Sequence, residues 1–389
     1  MKRSFLKKET RLISGISLLM GIRMLGNSMI IPVFSIFATE IESSTKVLAG
    51  LAVGIFGISQ TIFQIPMGRL SDRWGRKNTT VLGLTVFMLG TLFSGLSTDI
   101  YQLIFARLIA GAGAISSVTL TWATDGLPLD RRNRALGYVG MSIGLSVILG
   151  FSISPIIAGR FGISSLFFIC GFMTAAALIY SMAFLDNPVP DKIPGRASPH
   201  ADTDSPDSIL RNRDLMRLNL TGFIGNVILT AIFFIMPLLM KQKIEIPHMW
   251  KIYVPMALAG TGLMFYFSRK ADLEGTRKTV LIALVFEFTG IATAILSQSL
   301  YPLFAAFILV YSGHCILSPV LPAAVSRYPG TGRAGTVMGI FNSFQFIGSG
   351  VGGILSGFLL NISPESLFIV LLVLISAGIY LTAGYREFR

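Results

Sequence analysis

Charged residues are scarce in this 389-residue chain. They make up 13% of it, whereas ordinary soluble domains carry about 25%. Histidine and cysteine are also few, at three and two residues, and none of them has the spacing of metal ligands. No phosphate-binding loop, ATP-binding motif or nucleophile constellation is present either. We therefore predict a protein that is not an enzyme and has no metal, cofactor or disulfide framework, with Cys170 and Cys315 as small buried residues.

Apolar residues replace the missing charge: 52% of the chain is hydrophobic, and its mean hydropathy is +0.70. A run of about 20 apolar residues is long enough to cross a bilayer as a helix. Such runs predict an all-α polytopic membrane protein with twelve transmembrane helices, at approximately 12–38, 46–68, 78–97, 100–124, 135–158, 162–185, 216–239, 249–268, 279–297, 300–325, 335–360 and 364–384.

The net charge of +13 does not indicate a nucleic-acid partner, because the positive charges follow the predicted topology. With both termini cytoplasmic, only five of the 32 lysines and arginines fall outside and two fall within helices, which leaves 25 on the cytoplasmic side. The five outside are Lys46, Arg160, Lys241, Lys243 and Lys251. This bias obeys the positive-inside rule and predicts a multi-pass protein of the bacterial inner membrane, with the lipid bilayer as its surroundings.

Residues 186–213 interrupt the apolar pattern with five prolines and several Asp and Ser residues. A segment of this composition buries too little surface to fold alone. We therefore predict an N-terminal six-helix bundle at 1–185, a cytoplasmic linker at 186–213 and a C-terminal six-helix bundle at 214–389.

The two predicted bundles share a repeat. Asp72 and Gly75 recur 200 positions later as Asp272 and Gly275, in basic turns between apolar stretches. Arg134-Ala135 and Gly140 recur as Arg333-Ala334 and Gly339. A duplication at half the chain length, in parallel orientation, is typical of secondary transporters.

Three motifs resemble those of the major facilitator superfamily. The residues Gly-Arg-Leu-Ser-Asp-Arg-Trp-Gly-Arg-Lys at 68–77 resemble its motif A, and Leu103 to Gly113, including Arg107, resembles motif B. The ten-residue segment from Gly150 to Gly159 resembles the antiporter-associated motif C, although Ser154 and Ala158 stand where glycines are usual. The members of this third motif are Gly150, Ser154, Pro155 and Gly159.

Further matches resemble the YajR-type transporters and the drug:proton antiporter group. They are Arg23-Met-Leu-Gly in the first predicted helix, Ser59 to Gly68 in the second, and Gly335 to Gln345 in the eleventh. The resemblance implies a monomeric, proton-coupled exporter with a small-molecule substrate, and we expect it to lack the C-terminal cytoplasmic domain that several relatives carry.

Motif A is expected to form a conformational latch. Gly68 and Gly75 position Asp72 at the end of the second helix, and the resemblance implies that the eleventh helix begins nearby, where its free N–H groups and dipole favour a carboxylate. Arg76 is expected to bridge Asp72 to Asp125. The alternative, retention of basic residues for orientation, does not explain Asp72, because acids contribute little to topology. The predicted latch residues are Gly68, Asp72, Arg73, Gly75, Arg76 and Asp125.

Four ionisable side chains lie inside predicted helices: Arg23, Arg107, Glu287 and His314. A charge at the centre of a membrane helix costs about 2.5–3.5 kcal/mol on insertion scales, so such groups are candidates for charge or proton coupling. Snorkelling is the alternative for Arg107. A structural hydrogen bond is the alternative for Glu287 and for His314.

The amides within predicted spans are cavity candidates: Asn27, Gln64, Asn226, Asn342 and Gln345. Together with 29 phenylalanines, they favour a mainly apolar cavity with few fixed polar groups, which suits amphiphilic compounds. Glycines on the fifth helix, including Gly140 and Gly144, are expected to allow close packing against the other half.

The sequence therefore predicts a secondary active transporter that exports a small amphiphilic or drug-like compound against protons. Three alternatives stay open at this point: a sugar or metabolite efflux carrier, a uniporter, and a non-transporting membrane sensor with the same fold.

Overall fold

A computed structural model of the protein describes residues 7–124, 129–185, 211–297, 299–327 and 334–386. Within these ranges the secondary structure is helical, apart from an isolated bridge between Glu42 and Asp99. The helices are α1 (Lys7–Glu40), α2 (Lys46–Trp74), α3 (Arg76–Leu96), α4 (Ile100–Ala112), α5 (Ser116–Thr124), α6 (Leu129–Phe161), α7 (Ser164–Phe184), α8 (Arg213–Lys241), α9 (Trp250–Glu274), α10 (Thr276–Leu296), α11 (Leu300–Ser326), α12 (Ala334–Ile362) and α13 (Pro364–Ala383), with a 3₁₀ turn at Ile246–His248. Each predicted span contains a helix, which confirms the all-α polytopic fold.

Two spans differ from the prediction. The fourth is interrupted between α4 and α5, where Gly113 lies so close to α3 that a Cβ on it would be 2.5 Å from the Gly83 carbonyl oxygen. The eighth, α9, is absent from the eleven described helical stretches that are long and apolar enough to cross a membrane. Lys251 near its start and Arg269, Lys270 and Glu274 near its end lower its hydropathy, yet α9 packs against α6 and α11 at the predicted place.

Helix boundaries follow from capping chemistry. The side chains of Thr45, Asp99, Asn212 and Ser363 accept hydrogen bonds from backbone N–H groups in the first turns of α2, α4, α8 and α13. Such caps satisfy donors that a helix start leaves free. At the predicted basic turns, Gly75 and Gly275 have φ of 89° and 100°, a region that favours glycine.

The repeat is visible in backbone packing as well as in sequence. A Cβ on Gly113 would lie 2.5 Å from the Gly83 oxygen and 2.8 Å from the Phe87 Cβ. Gly313 is the counterpart of Gly113, 200 positions later, and a Cβ on it would lie 2.6 Å from the Ala283 oxygen and 2.7 Å from the Glu287 Cγ. The α3–α4 and α10–α11 pairs therefore pack in the same way, but Glu287 occupies the place of Phe87.

We name the two ends of the helices by their turns. The basic face carries the Gly75 and Gly275 turns, and the opposite face carries the segments that follow Glu40 and Lys241. Helices α1 to α7 pack mainly among themselves, as do α8 to α13. The main contacts between these two sets join α2 to α12, α6 to α9 and its preceding 3₁₀ turn, and α1 to α8.

The α2–α12 contact is a seam of glycines at the opposite face. A Cβ on Gly50 would lie 2.5 Å from the Gly353 oxygen, and a Cβ on Gly54 would lie 2.4 Å from the Gly350 oxygen. Only glycine permits this approach of two helix backbones. The glycine seam consists of Gly50, Gly54, Gly57, Gly350, Gly353 and Gly357.

The same helices separate toward the basic face. Among the described residues, no atom of another segment lies within 4 Å of a Cβ added to Gly68 on α2 or Gly339 on α12, and the same holds for Gly140 and Gly144 on α6 and Gly262 on α9. In this conformation the described parts of the two sets therefore touch at the opposite face, whereas these glycines make no such contact.

Gly54→Ala is expected to shift the protein toward a conformation closed at the basic face, because the added methyl group overlaps the Gly350 oxygen only while the glycine seam is closed. Overpacking of this kind typically costs about 1–3 kcal/mol. Spin labels on Trp74→Cys and Ser326→Cys are introduced in a background without Cys170 and Cys315. Double electron–electron resonance then measures the distance between the two labels at the basic face.

Gly262→Ala is the matched control, since it adds the same methyl group to α9 where no described atom lies within 4 Å. Gly54→Ala should shorten the distance distribution, and Gly262→Ala should leave it unchanged. Identical distributions for both variants would contradict the proposed role of the seam.

Candidate functional site

An aromatic cluster closes the space between the two sets of helices beneath the opposite face. The Phe151 ring of α6 lies 5.3 Å from Phe233 of α8, 6.2 Å from Tyr253 of α9 and 5.9 Å from Tyr311 of α11, between ring centroids. The Tyr253 hydroxyl donates a 2.8 Å hydrogen bond to the Pro32 carbonyl of α1. These rings are buried, and they join α6 of the first set to α8, α9 and α11 of the second.

Polar contacts lie outside this cluster, at the opposite face. Lys241 at the end of α8 forms an ion pair with Glu40 at the end of α1, and the Lys46 ammonium donates a 2.9 Å hydrogen bond to the Leu360 carbonyl. Beside them is a surface cavity of about 500 Å³, lined by Thr39, Ser44, Lys46, Leu238, Lys241 and Gln242. Because it lies at helix ends, we regard it as an outer vestibule rather than a midplane binding site.

A second, smaller cleft lies deeper, among α8, α11 and α12. Its volume is only about 10 Å³, about enough for one water molecule. The lining combines amide, imidazole and hydroxyl groups with two leucines: Gly222, Gly225, Asn226, His314, Leu317, Ser318, Leu321 and Gln345. The structure thus brings together three side chains that the sequence singled out separately, Asn226, His314 and Gln345. A cleft of this composition can hydrogen-bond one polar group of a compound whose remainder is apolar.

Sequence reasoning missed Ser318, which completes the polar side of this cleft. The signal was the helical spacing, because His314 and Ser318 are four residues apart and share one face of α11. Asn226 also donates a 3.0 Å hydrogen bond to the Gly222 carbonyl, which leaves its oxygen and its second amide hydrogen for a ligand.

The other predicted amides lie elsewhere. Gln64 is buried on α2, where its Nε2 has no hydrogen-bond partner among the described residues. Asn27 on α1 and Asn342 on α12 are half-buried and do not line the cleft. Their assignment to a cavity stays a prediction.

The three intramembrane charges lie inside the helix packing rather than at the cleft. Arg23 and Arg107 are 5% and 7% exposed, within α1–α7. The Arg23 guanidinium lies over the Phe87 ring, 5.1 Å from its centroid, so this residue does not face lipid. Arg107 lies over Phe56, at 4.2 Å, which places its guanidinium in the interior and not at a helix end.

Glu287 is fully buried on α10, where it packs against Gly313 of α11. Neither carboxyl oxygen has a hydrogen-bond partner among the described residues. An unpartnered charge at such a place is costly. Glu287 does not line the cleft. It contacts Gly313, which directly precedes the cleft residue His314.

Motif A forms a compact turn at the basic face. The Arg76 guanidinium donates hydrogen bonds to the Ser71 hydroxyl at 2.8 Å and the Asp72 carboxylate at 2.7 Å. The Asp72 side chain is 67% exposed, and Arg73 is exposed at the end of α2. Asp125 lies outside the described residues, so its part in the predicted bridge stays a prediction.

The motif C residues of α6 divide between the two sides. Gly150 packs against Ser28 and Met29 of α1, and the Ser154 hydroxyl donates a hydrogen bond to the Met29 carbonyl. Gly159 instead packs against Pro247, in the 3₁₀ turn before α9. Pro155 lies within α6 between these contacts. The serine that replaces a usual glycine thus contributes a hydrogen bond to the α1–α6 packing.

Comparisons with known proteins agree with this architecture. The Major Facilitator Superfamily model matches residues 16–352 and 249–387. The chain is 27% identical to the inner membrane transport protein YajR of Escherichia coli (strain K12), over 90% of this chain and 78% of that protein. It is 26% identical to Multidrug resistance protein 2 of Bacillus subtilis (strain 168), over 100% and 98%. These matches confirm the predicted resemblance to the YajR type.

Among solved structures, a bacterial homologue of the human lysosomal transporter Spinster, in an inward-facing and occupied conformation, matches with a TM-score of 0.80. The alignment covers 98% of both chains at 14% identity. At this identity the likeness shows the fold alone.

The Glu40–Lys241 ion pair is expected to favour the conformation that is closed at the opposite face. Both side chains are partly exposed, at 52% and 40%, and pairs of this kind contribute about 0.2–1 kcal/mol. A double-mutant cycle of Glu40→Gln and Lys241→Gln, read by the same basic-face spin labels, should give a coupling of that size at low salt. The coupling should vanish in about 1 M salt, where screening acts within about 3 Å.

The Lys270–Glu274 pair provides the control, because both residues belong to α9 and lie 3.6 Å apart. Its removal should not move the distance distribution. Strictly additive effects of Glu40→Gln and Lys241→Gln at low salt would argue that their pair has no role in closure.

Proposed function

Since the chain belongs to the major facilitator superfamily, we propose that it exports a small amphiphilic compound in exchange for protons by alternating access. As a member of this family, the protein is a multi-pass membrane transporter and not an enzyme. Substrate and coupling do not follow from fold, so they are argued below from the described residues.

One observation carries the alternating-access mechanism. The α1–α7 and α8–α13 sets meet at the opposite face through the glycine seam and the aromatic cluster, and they stand apart at the basic face. A carrier open to one side needs such one-sided closure, because simultaneous opening to both faces would let solutes leak. The predicted division into bundles at 1–185 and 214–389, joined by a linker, is the simplest way to make the two sets rigid bodies.

The basic face is proposed to be cytoplasmic. The distribution of lysine and arginine obeys the positive-inside rule for that orientation, and it places both termini in the cytoplasm of a cell with an inner membrane. The conformation described here is then open to the cytoplasm, where an exporter loads its substrate.

The cleft among α8, α11 and α12 supports an amphiphilic substrate. Asn226 and Gln345 supply neutral amide groups and His314 supplies an imidazole. Leu317 and Leu321 supply apolar surface. A sugar carrier would also need several polar groups, so the two leucines of the lining are the feature that favours a compound with an apolar part. The relative named Multidrug resistance protein 2 is consistent with a drug-like compound.

Proton coupling is proposed for Glu287, because it is a buried carboxyl with no partner among the described residues. Its position also favours a second candidate, uniport, since the carboxyl packs at the α10–α11 contact with Gly313 and not in the cleft. A non-transporting sensor remains the alternative of a different class.

The motif A turn is proposed to stabilise the conformation closed at the basic face. Asp72 is largely exposed here and bonded to Arg76, which leaves its second oxygen for the N-terminus of α12 once the faces approach. Arg73 and Asp125 are proposed to contribute to the same latch.

Ethidium efflux from pump-deficient cells is expected to depend on this protein, to stop with a proton uncoupler, and to fall about tenfold in Asp72→Asn. The loss follows from one hydrogen bond to a charged group, which is worth about 1.5–3 kcal/mol. Glu365→Gln, which removes an exposed charge at the start of α13, should retain efflux. No efflux from well-expressed wild type would contradict drug export and point to a polar metabolite or a sensor.

Glu287→Gln separates antiport from uniport in proteoliposomes loaded with the transported compound. The amide cannot exchange a proton, so antiport predicts that uphill transport driven by a pH gradient is lost while downhill flux persists. Glu365→Gln is again the matched control. Gradient-driven transport that survives in Glu287→Gln would remove this residue from proton coupling.

A further inference from the structure

Two arginines lie inside the α1–α7 helix set without an acidic partner. Arg23 of α1 and Arg107 of α4 are 95% and 93% buried, because only 5% and 7% of their surfaces are exposed. No ion pair to either guanidinium exists among the described residues. Arginine keeps its positive charge inside proteins, so neither residue can become neutral by releasing a proton.

The contacts of these side chains compensate their charge only in part. The Arg23 guanidinium donates a 3.3 Å hydrogen bond to the Ser116 hydroxyl and lies over Phe87. Arg107 lies between Phe34, at 4.8 Å, and Phe56, at 4.2 Å. Ring faces attract cations, but more weakly than a full negative charge does.

Hydrogen-bonding capacity remains on both groups. The Nε atoms of Arg23 and Arg107 are buried and have no hydrogen-bond partner among the described residues. A guanidinium has five N–H donors in a planar fork that suits anions. Unpaired donors on a buried cation are costly, and an anion would satisfy both the donors and the charge.

The two guanidiniums belong to one cluster. Phe87 below Arg23 and Phe56 below Arg107 are neighbouring rings with centroids 6.4 Å apart. Cys170 of α7 packs against α1 close to Arg23, since a Cβ on Gly26 would lie 2.6 Å from the Cys170 sulfur. The arginines of α1 and α4 therefore share one ring cluster, and α7 lies beside it.

No carboxylate of the chain is placed to serve this region in the described residues. Asp99 precedes Arg107 by eight residues, about 12 Å along the helix at 1.5 Å per residue, and it caps the first turn of α4. Glu287 lies on α10, in the other helix set.

We propose that Arg23 and Arg107 form an anion-binding site inside the N-terminal helix set, separate from the cleft among α8, α11 and α12. The ligand is a small monovalent anion, either a free halide or the anionic group of an organic solute. Only the organic solute rests on the proposed transport function. Because anion binding is measured without transport, anion binding and export can each fail without the other.

The first experiment measures thermal unfolding of the purified full-length protein while sodium chloride or sodium bromide replaces sodium gluconate at constant ionic strength. A second series uses benzoate, with uncharged benzamide as its control. The wild type should show a saturable rise in Tm. The apparent affinity should be at least about tenfold weaker in Arg23→Gln and Arg107→Gln, since each loses a hydrogen bond to a charged partner.

Arg160→Gln is the matched control, because Arg160 is an exposed arginine at the end of α6, and it should behave as the wild type does. If the glutamine variants do not fold, Arg107→Lys, which keeps the charge but not the fork, and the anomalous signal of bromide in crystals of the wild type provide the test.

A halide response that the glutamine variants lose identifies a free inorganic anion as the ligand. A response to benzoate but not to halide or benzamide identifies the anionic group of an organic solute. The proposal is overturned if no anion stabilises the wild type, or if both glutamine variants respond as Arg160→Gln does.

Discussion

The close approach of α2 and α12 is the constraint on which the rest of this conformation depends. Where Gly54 faces Gly350, a side chain on the first residue would occupy the space of the other backbone. A small rotation of α2 against α12 would break these short contacts, because the glycine seam has no long side chains to maintain them. In this conformation the helices meet closely at the opposite face, and the aromatic cluster of α6, α8, α9 and α11 joins the two helix sets as well.

The repeat supplies a common backbone, while the two halves carry different chemistry. The α3–α4 and α10–α11 pairs use the same short glycine contacts, at Gly113 and Gly313. On that shared backbone, an aromatic ring at Phe87 supports a cation in the first half, whereas Glu287 places an acid at the equivalent position in the second. Duplication thus explains why both halves pack alike and leaves each one free to specialise.

The sequence was sufficient to predict the helices and their repeat, because length and apolarity decide which segments cross a membrane. It was insufficient for the partners of individual side chains. Asn226, His314 and Gln345 belong to three helices, and only packing brings them to one cleft. The prediction also concentrated on the glycines of α6, of which Gly150 and Gly159 pack closely while Gly140 and Gly144 meet no described atom within 4 Å. The four-residue spacing of Gly50 and Gly54 was an equally available signal for close helix contact.

The separation of the buried charges from the cleft restricts how any coupling can operate. Glu287 packs on Gly313, and the next residue of α11, His314, lines the cleft. A change in the charge of this carboxyl would affect the cleft by moving α11, because Glu287 contacts α11 and several residues of α11 line the cleft. Interiors packed without voids transmit such shifts rather than absorb them. The proposed coupling would therefore act through the position of α11 rather than through direct contact between Glu287 and a substrate.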